Sequence, residues 1–171
     1  MDALRMWNHL MSESTPPSKE ALALYGRACD LESAGAWGQA RELLLGCVGE
    51  LEDHNSPAAA AANLKLAVLL QEEGDRDGAV FHCVRSLFLY NRFEDAGGLY
   101  AGLRNLIVIH RSRGENRLAM AAQHQAARVR EVLRREGTLE AAEDGRDRVG
   151  QVLPLLRIIS ARMPEEASEA V

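Results

Sequence analysis

Apolar residues recur along the chain at intervals of three and four, the spacing of one face of an α-helix, and no segment shows the strict apolar–polar alternation of a half-buried strand. Helices are predicted near 18–34, 37–53, 57–73, 76–91, 93–113, 115–136 and 139–162, joined by short turns marked by Gly or Asp. A further short helix over 1–11 sets Leu4, Trp7, Leu10 and Met11 on one side. The run SESTPPS at 12–18 ends it, because Pro16 and Pro17 cannot continue a helix, and Ser18 is well placed to cap the next one. The expectation is an all-α protein.

The turns repeat. Gly35, Gly74 and Gly114 lie 39 and 40 residues apart, and five residues after each comes an alanine, Ala40, Ala79 and Ala119, within GAWGQA, GDRDGA and GENRLA. Ahead of each glycine the helix carries Leu24-x3-Ala28-x2-Leu31, then Leu66-Ala67-x2-Leu70, then Leu103-x2-Leu106-Ile107-x2-His110. A glycine ends the first helix in a left-handed conformation, and small residues let the two backbones approach closely, so each unit folds back as an antiparallel pair. One pair cannot bury its apolar face alone; three consecutive pairs must stack.

This pattern resembles the tetratricopeptide repeat, a helix–turn–helix with small residues at the crossing and a glycine before the second helix, over about residues 20–132. It departs from that family in its 39–40-residue period, against about 34, and in its mostly aliphatic residues at the family's aromatic positions, and so is similar to the extended-helix variants of regulatory and scaffold proteins. The resemblance implies a right-handed helical-hairpin solenoid over 19–163, with repeats at about 19–56, 57–92 and 93–136 and a capping helix at 138–163. Residues 1–18 form a short helix and linker outside it, and 164–171 an acidic tail. It also implies a concave groove lined by the first helix of each pair. Carried over residue by residue, the groove consists of Tyr25 and Cys29, then Leu64, Lys65 and Val68, then Arg104, Asn105, Val108 and Arg111. The family's Lys and Asn clamp for a terminal carboxylate is disfavoured, since Tyr25 and Cys29 stand on the first groove helix.

Composition agrees with one helical core: 171 residues, 47% hydrophobic, 26% charged and only 5% aromatic, which excludes collagen-like and disordered chains. The net charge of −5 disfavours a nucleic-acid binder, but it averages over opposite ends. Residues 30–53 hold six acids and one Arg, whereas 111–135 hold two Glu and Arg111, Arg113, Arg117, Arg128, Arg130, Arg134 and Arg135. That asymmetry suits either recognition of an acidic peptide or head-to-tail self-association; a solvated face of i,i+4 pairs is the bland alternative. The only lysines are Lys19 and Lys65, a bias that points to a bacterial source. Three widely spaced cysteines give neither a disulfide framework nor a zinc site, and no signal peptide or membrane-spanning run is present, so a cytoplasmic protein without membrane association is expected.

No catalytic motif stands out. In AGGLYAG at 96–102, Gly98 and Gly102 lie one helical turn apart and read as close helix packing instead of a phosphate loop. His82, Cys83, His110 and His124 do not converge at metal-ligand spacing, and Cys47 and Cys83 fall on inner faces. Glu72, Glu73, Asp75 and Asp77 surround the turn at Gly74 and read as solvated caps. The C-terminal stripe Val149, Val152, Leu153, Leu156 and Ile159, widened by Leu155 and Ile158, caps the array, and its width leaves room for contact with another chain or with the groove. The functional expectation is a non-enzymatic adaptor, without metal or cofactor, that captures a protein segment in the groove. A self-assembling scaffold is the alternative, through head-to-tail contacts or the C-terminal helix, and a secretion-type chaperone is a further one.

Overall fold

Side-chain caps start four of the six helices found in the computed structural model, which describes residues 16–139. The elements are α1 (Lys19–Ser33), α2 (Trp37–Asp53), α3 (Pro57–Glu72), α4 (Arg76–Arg92), α5 (Ala96–Ser112) and α6 (Asn116–Arg135), with no strand among the described residues. Ser18 accepts from the Ala21 amide ahead of α1, and Ser56 from the Ala58 amide ahead of α3, where Pro57 takes the first helical position. Asp75 accepts from the Gly78 amide at 2.9 Å and Asp95 from the Gly98 amide at 2.8 Å, opening α4 and α5. These bonds occupy amides that the first turn of a helix leaves unpaired.

The glycine stops form as expected. Gly35, Gly74 and Gly114 have φ of 76°, 86° and 73°, the left-handed region that a side chain resists. The connections between them use other residues: Asn55 and Glu94 take φ of 51° and 56°. At Glu94 this shortens the predicted helix 93–113, because a left-handed residue followed by the Asp95 cap forces α5 to begin at Ala96. The predicted helix over 1–11, the C-terminal helix beyond residue 139 with its apolar stripe, and the tail 164–171 lie outside the described residues.

The chain clusters into two compact units, Met1–Leu89 and Tyr90–Val171. In the first, α1 and α2 form a helical hairpin, and the Ser18 amide reaches Glu50 near the end of α2, at 2.8 Å, as antiparallel helices require. Ala28 and Ala40 are fully buried in this hairpin, and α2 packs in turn on α3; Leu44, Cys47 and Leu51 are buried on α2, and Leu66 and Leu69 on α3. Cys47 and Cys83 are buried as small apolar groups; burial pushes the Cys83 thiol up to about 12. In the second unit α5 and α6 pack as a hairpin. Ala119, Ala122, Ala126, Val129 and Leu133 form the buried stripe of α6, at the three- and four-residue spacing of one helix face. Gly98 and Gly102 are buried, and Gly98 lies directly under the Tyr90 ring, which is why no side chain fits there. Each fully buried leucine, such as Leu44, Leu51 or Leu133, contributes roughly 1.5–3 kcal/mol.

Candidate functional site

Polar cross-links decide which faces of the helices remain free to do something. In the first unit, Asn63 is fully buried in the alanine-rich helix α3. Its Nδ2 donates to Glu52 Oε1 at 2.6 Å and to the Ala59 carbonyl at 2.9 Å, and its Oδ1 stands 2.8 Å from His82 Nδ1. Since Oδ1 only accepts, His82 donates to it through Nδ1. Burial lowers the His82 pKa, against the pull of Glu52 and Asp75. Glu52 also accepts two bonds from Arg85, at 2.8 and 2.6 Å. Burial raises the Glu52 carboxyl, but the bonds from Arg85 and Asn63 outweigh it and the net shift is downward. One network thus pins α2, α3 and α4 together. It leaves the exposed carboxylates near Gly74 outside; of these, Glu73 pairs with Arg41 and Asp75 caps α4.

The predicted groove residues fall into two sets. In the first unit, Tyr25 and Cys29 are half-buried one turn apart on α1, and Leu64, Lys65 and Val68 are half-buried on α3. Lys65 forms an ion pair with Glu32, one turn beyond Cys29, so the two helices meet along this edge and the ammonium is already engaged. In the second unit, Arg104, Asn105, Val108 and Arg111 form one row on α5, at i, i+1, i+4 and i+7. Val108 is 49% exposed between two exposed arginines. Arg104 stands over the Tyr100 ring, 5.8 Å from its centroid, and Asn105 turns its amide back to the Ala101 carbonyl at 3.2 Å. Arg111 donates to Gln123 on α6 at 3.0 Å, a bond to a neutral amide that fixes the guanidinium without cancelling its charge.

The basic stretch 111–135 is partly neutralised from within. Arg113 bonds Glu115, which also reaches His110 at 2.6 Å. Arg134 and Arg135 share Glu131, whose carboxyl their hydrogen bonds draw down to about 2. Arg117 and Arg128 are exposed on α6. The acidic stretch 30–53 is likewise drawn on by Lys65, the Ser18 amide and the Asn63 network, at Glu32, Glu50 and Glu52.

One surface was not foreseen from the sequence. On α4, Phe81, Val84 and Phe88 are 65%, 50% and 56% exposed, opposite the buried Ala79, Cys83 and Ser86. The signal was available as a second apolar stripe at i, i+3 and i+7, more than one helix needs to reach its own core.

Among the described residues no group of three or more His, Cys, Asp or Glu gathers at metal-binding distance, and no helix is long and apolar enough to cross a membrane. No protein-family model, curated protein or solved structure matches the chain.

Proposed function

We propose that the chain is a non-enzymatic adaptor that captures an extended or helical segment of a partner protein, acidic in character, on the outward faces of its groove helices. The observation that carries this reading is the row on α5, an exposed Val108 between the guanidinium groups of Arg104 and Arg111. Charge alone holds a partner weakly, because exposed ion pairs contribute only about 0–1 kcal/mol each. An apolar side chain framed by two cations supplies both the burial and the orientation that a short peptide needs. Leu64 and Val68 on α3, with Tyr25 and Cys29 on α1, offer a second, more apolar stretch in the first unit, where Lys65 is spent on Glu32.

The architecture belongs to the same proposal: a right-handed solenoid of three tetratricopeptide-like repeats with a C-terminal capping helix. Its support is the 39–40-residue recurrence of Gly35, Gly74 and Gly114, each left-handed, and of Ala40, Ala79 and Ala119, each buried. A bacterial, cytoplasmic setting is proposed from the scarcity of lysine and the wide, odd-numbered spacing of the three cysteines.

The test is selection of peptides from a random library displayed on phage, followed by fluorescence anisotropy on the winners. Affinity in the micromolar range, about −8 kcal/mol, is expected, with acids flanking an apolar residue. Arg104→Glu combined with Arg111→Glu abolishes binding at unchanged helicity; affinity that survives both substitutions refutes the α5 assignment.

A further inference from the structure

We propose that the acidic segment 164–171 of this chain occupies the α5 row in the absence of a partner and competes with the partner for it, so that capture is self-restrained. The inference rests on the reading of Arg104, Val108 and Arg111 as the capture site. Arg113, Arg134 and Arg135 are neutralised by Glu115 and Glu131. Among the described residues Arg104 and Arg111 have no carboxylate partner: one stands over the Tyr100 ring and the other bonds the neutral Gln123 amide. Two uncompensated cations therefore flank the exposed Val108 on one face, about 10.5 Å apart along the helix axis.

The segment lies outside the described residues; its sequence, PEEASEAV, carries three Glu and no Lys or Arg. In an extended chain alternate side chains share one face, so Glu165, Ala167 and Glu169 present acid, methyl and acid in line, about 13 Å from end to end. Laid along α5, this order is the complement of Arg104, Val108 and Arg111. The long arginine side chains take up the small difference in span, and Ala167 covers Val108. One other acid-x-Ala-x-acid run occurs, at Glu140, Ala142 and Asp144, but Arg146 and Arg148 follow it at once and offset much of its charge. Chain length permits the contact. Residues 140–164, which join the segment to Leu139, measure about 37 Å even at the helical rise, against about 30 Å for the whole of α6.

Two exposed ion pairs and one small apolar contact bind weakly between separate molecules, but tethering sets the local concentration of the segment on the order of 1 mM. A contact with a dissociation constant of about 0.1–1 mM then covers the row in about half to nine-tenths of the molecules. Partner affinity falls with the uncovered fraction, about two- to tenfold.

Amide chemical-shift mapping of the full chain tests this with no partner present. Arg104→Glu/Arg111→Glu shifts the Glu166, Ala167 and Ser168 amides, and Glu165→Gln/Glu166→Gln/Glu169→Gln shifts Val108 in return. In fluorescence anisotropy with a library-selected peptide, the triple Gln variant binds about two- to tenfold more tightly than the parent chain at unchanged circular dichroism. Two controls, Arg117→Glu/Arg128→Glu for the shifts and Glu140→Gln/Asp144→Asn for the affinity, leave both readings as they were. Tail amides indifferent to Arg104→Glu/Arg111→Glu, with the selected peptide still bound at the row, overturn this inference and leave the capture reading standing. An equal response to either control reduces the effect to general charge and overturns it as well. Selected peptides that bind neither the parent chain nor the triple Gln variant refute the capture reading, and the restraint falls with it.

Discussion

Gly98→Ala adds one methyl group beneath the ring of Tyr90. An ideal Cβ at position 98 falls 2.1 Å from Cδ1 and Cε1 of Tyr90 and 2.6 Å from Cζ, far inside the roughly 3.5–4.0 Å of a carbon contact. Both residues are buried, so the ring cannot move aside without opening the packing around it. Overpacking of this kind costs about 1–3 kcal/mol. Against it stands the gain of about 0.5–1 kcal/mol when alanine replaces glycine within a helix, a gain reduced here because Gly98 sits in the first turn of α5. The net expectation is a loss of about 1–2 kcal/mol, read as a lower midpoint in urea denaturation at unchanged slope. Gly46→Ala and Gly49→Ala, in the interior of α2 with nothing within 4 Å of the new methyl, move the other way, by about 0.5–1 kcal/mol. Adding Tyr90→Leu to Gly98→Ala removes the clash, so the double-mutant cycle shows a favourable coupling of about 1 kcal/mol or more. A Gly98→Ala protein as stable as wild type refutes the packing argument.

Other substitutions examine the network and the core. Ser86→Ala stabilises by about 1 kcal/mol in the same denaturation assay, because the buried Ser86 hydroxyl has no hydrogen-bond partner among the described residues and an unpaired buried polar group costs about 1–3 kcal/mol. Asn63→Ala destabilises by about 2–4 kcal/mol, since it strips Glu52 and His82 of a partner at once. Stability falls as pH drops below about 6.5: the unfolded His82 takes up a proton there more readily than the folded one, whose pKa burial lowers. The slope in this window is at most one proton per chain and flattens in His82→Gln, measured by denaturation between pH 5 and 7.5.

The helices were legible because each boundary is a local event. Ser18 caps as its sequence promises, and Gly35, Gly74 and Gly114 stop helices in the left-handed backbone region that favours glycine over other residues. Glu94 was not legible, because nothing in its residue type prefers a positive φ; the fold imposes it. Nor was the buried Asn63, whose partners Glu52 and His82 lie 11 and 19 residues away in sequence. The same distance problem governs the groove. Lys65 reads as a free cation until Glu32, 33 residues away, is found beside it, whereas Arg104, Val108 and Arg111 share one helix and their common face follows from spacing alone. The apolar row on α4 was hidden differently: helical spacing puts Phe81, Val84 and Phe88 on one side, but only the burial of Ala79, Cys83 and Ser86 shows that this side faces outward.

Amide chemical-shift mapping by NMR with a selected peptide tests the adaptor reading most directly. The account predicts perturbations concentrated on the amides around Arg104, Val108 and Arg111, with Leu64 and Val68 following, and their disappearance in Arg104→Glu/Arg111→Glu. Perturbations confined to the outward faces of α2, α4 and α6, or unaltered by that double substitution, contradict it.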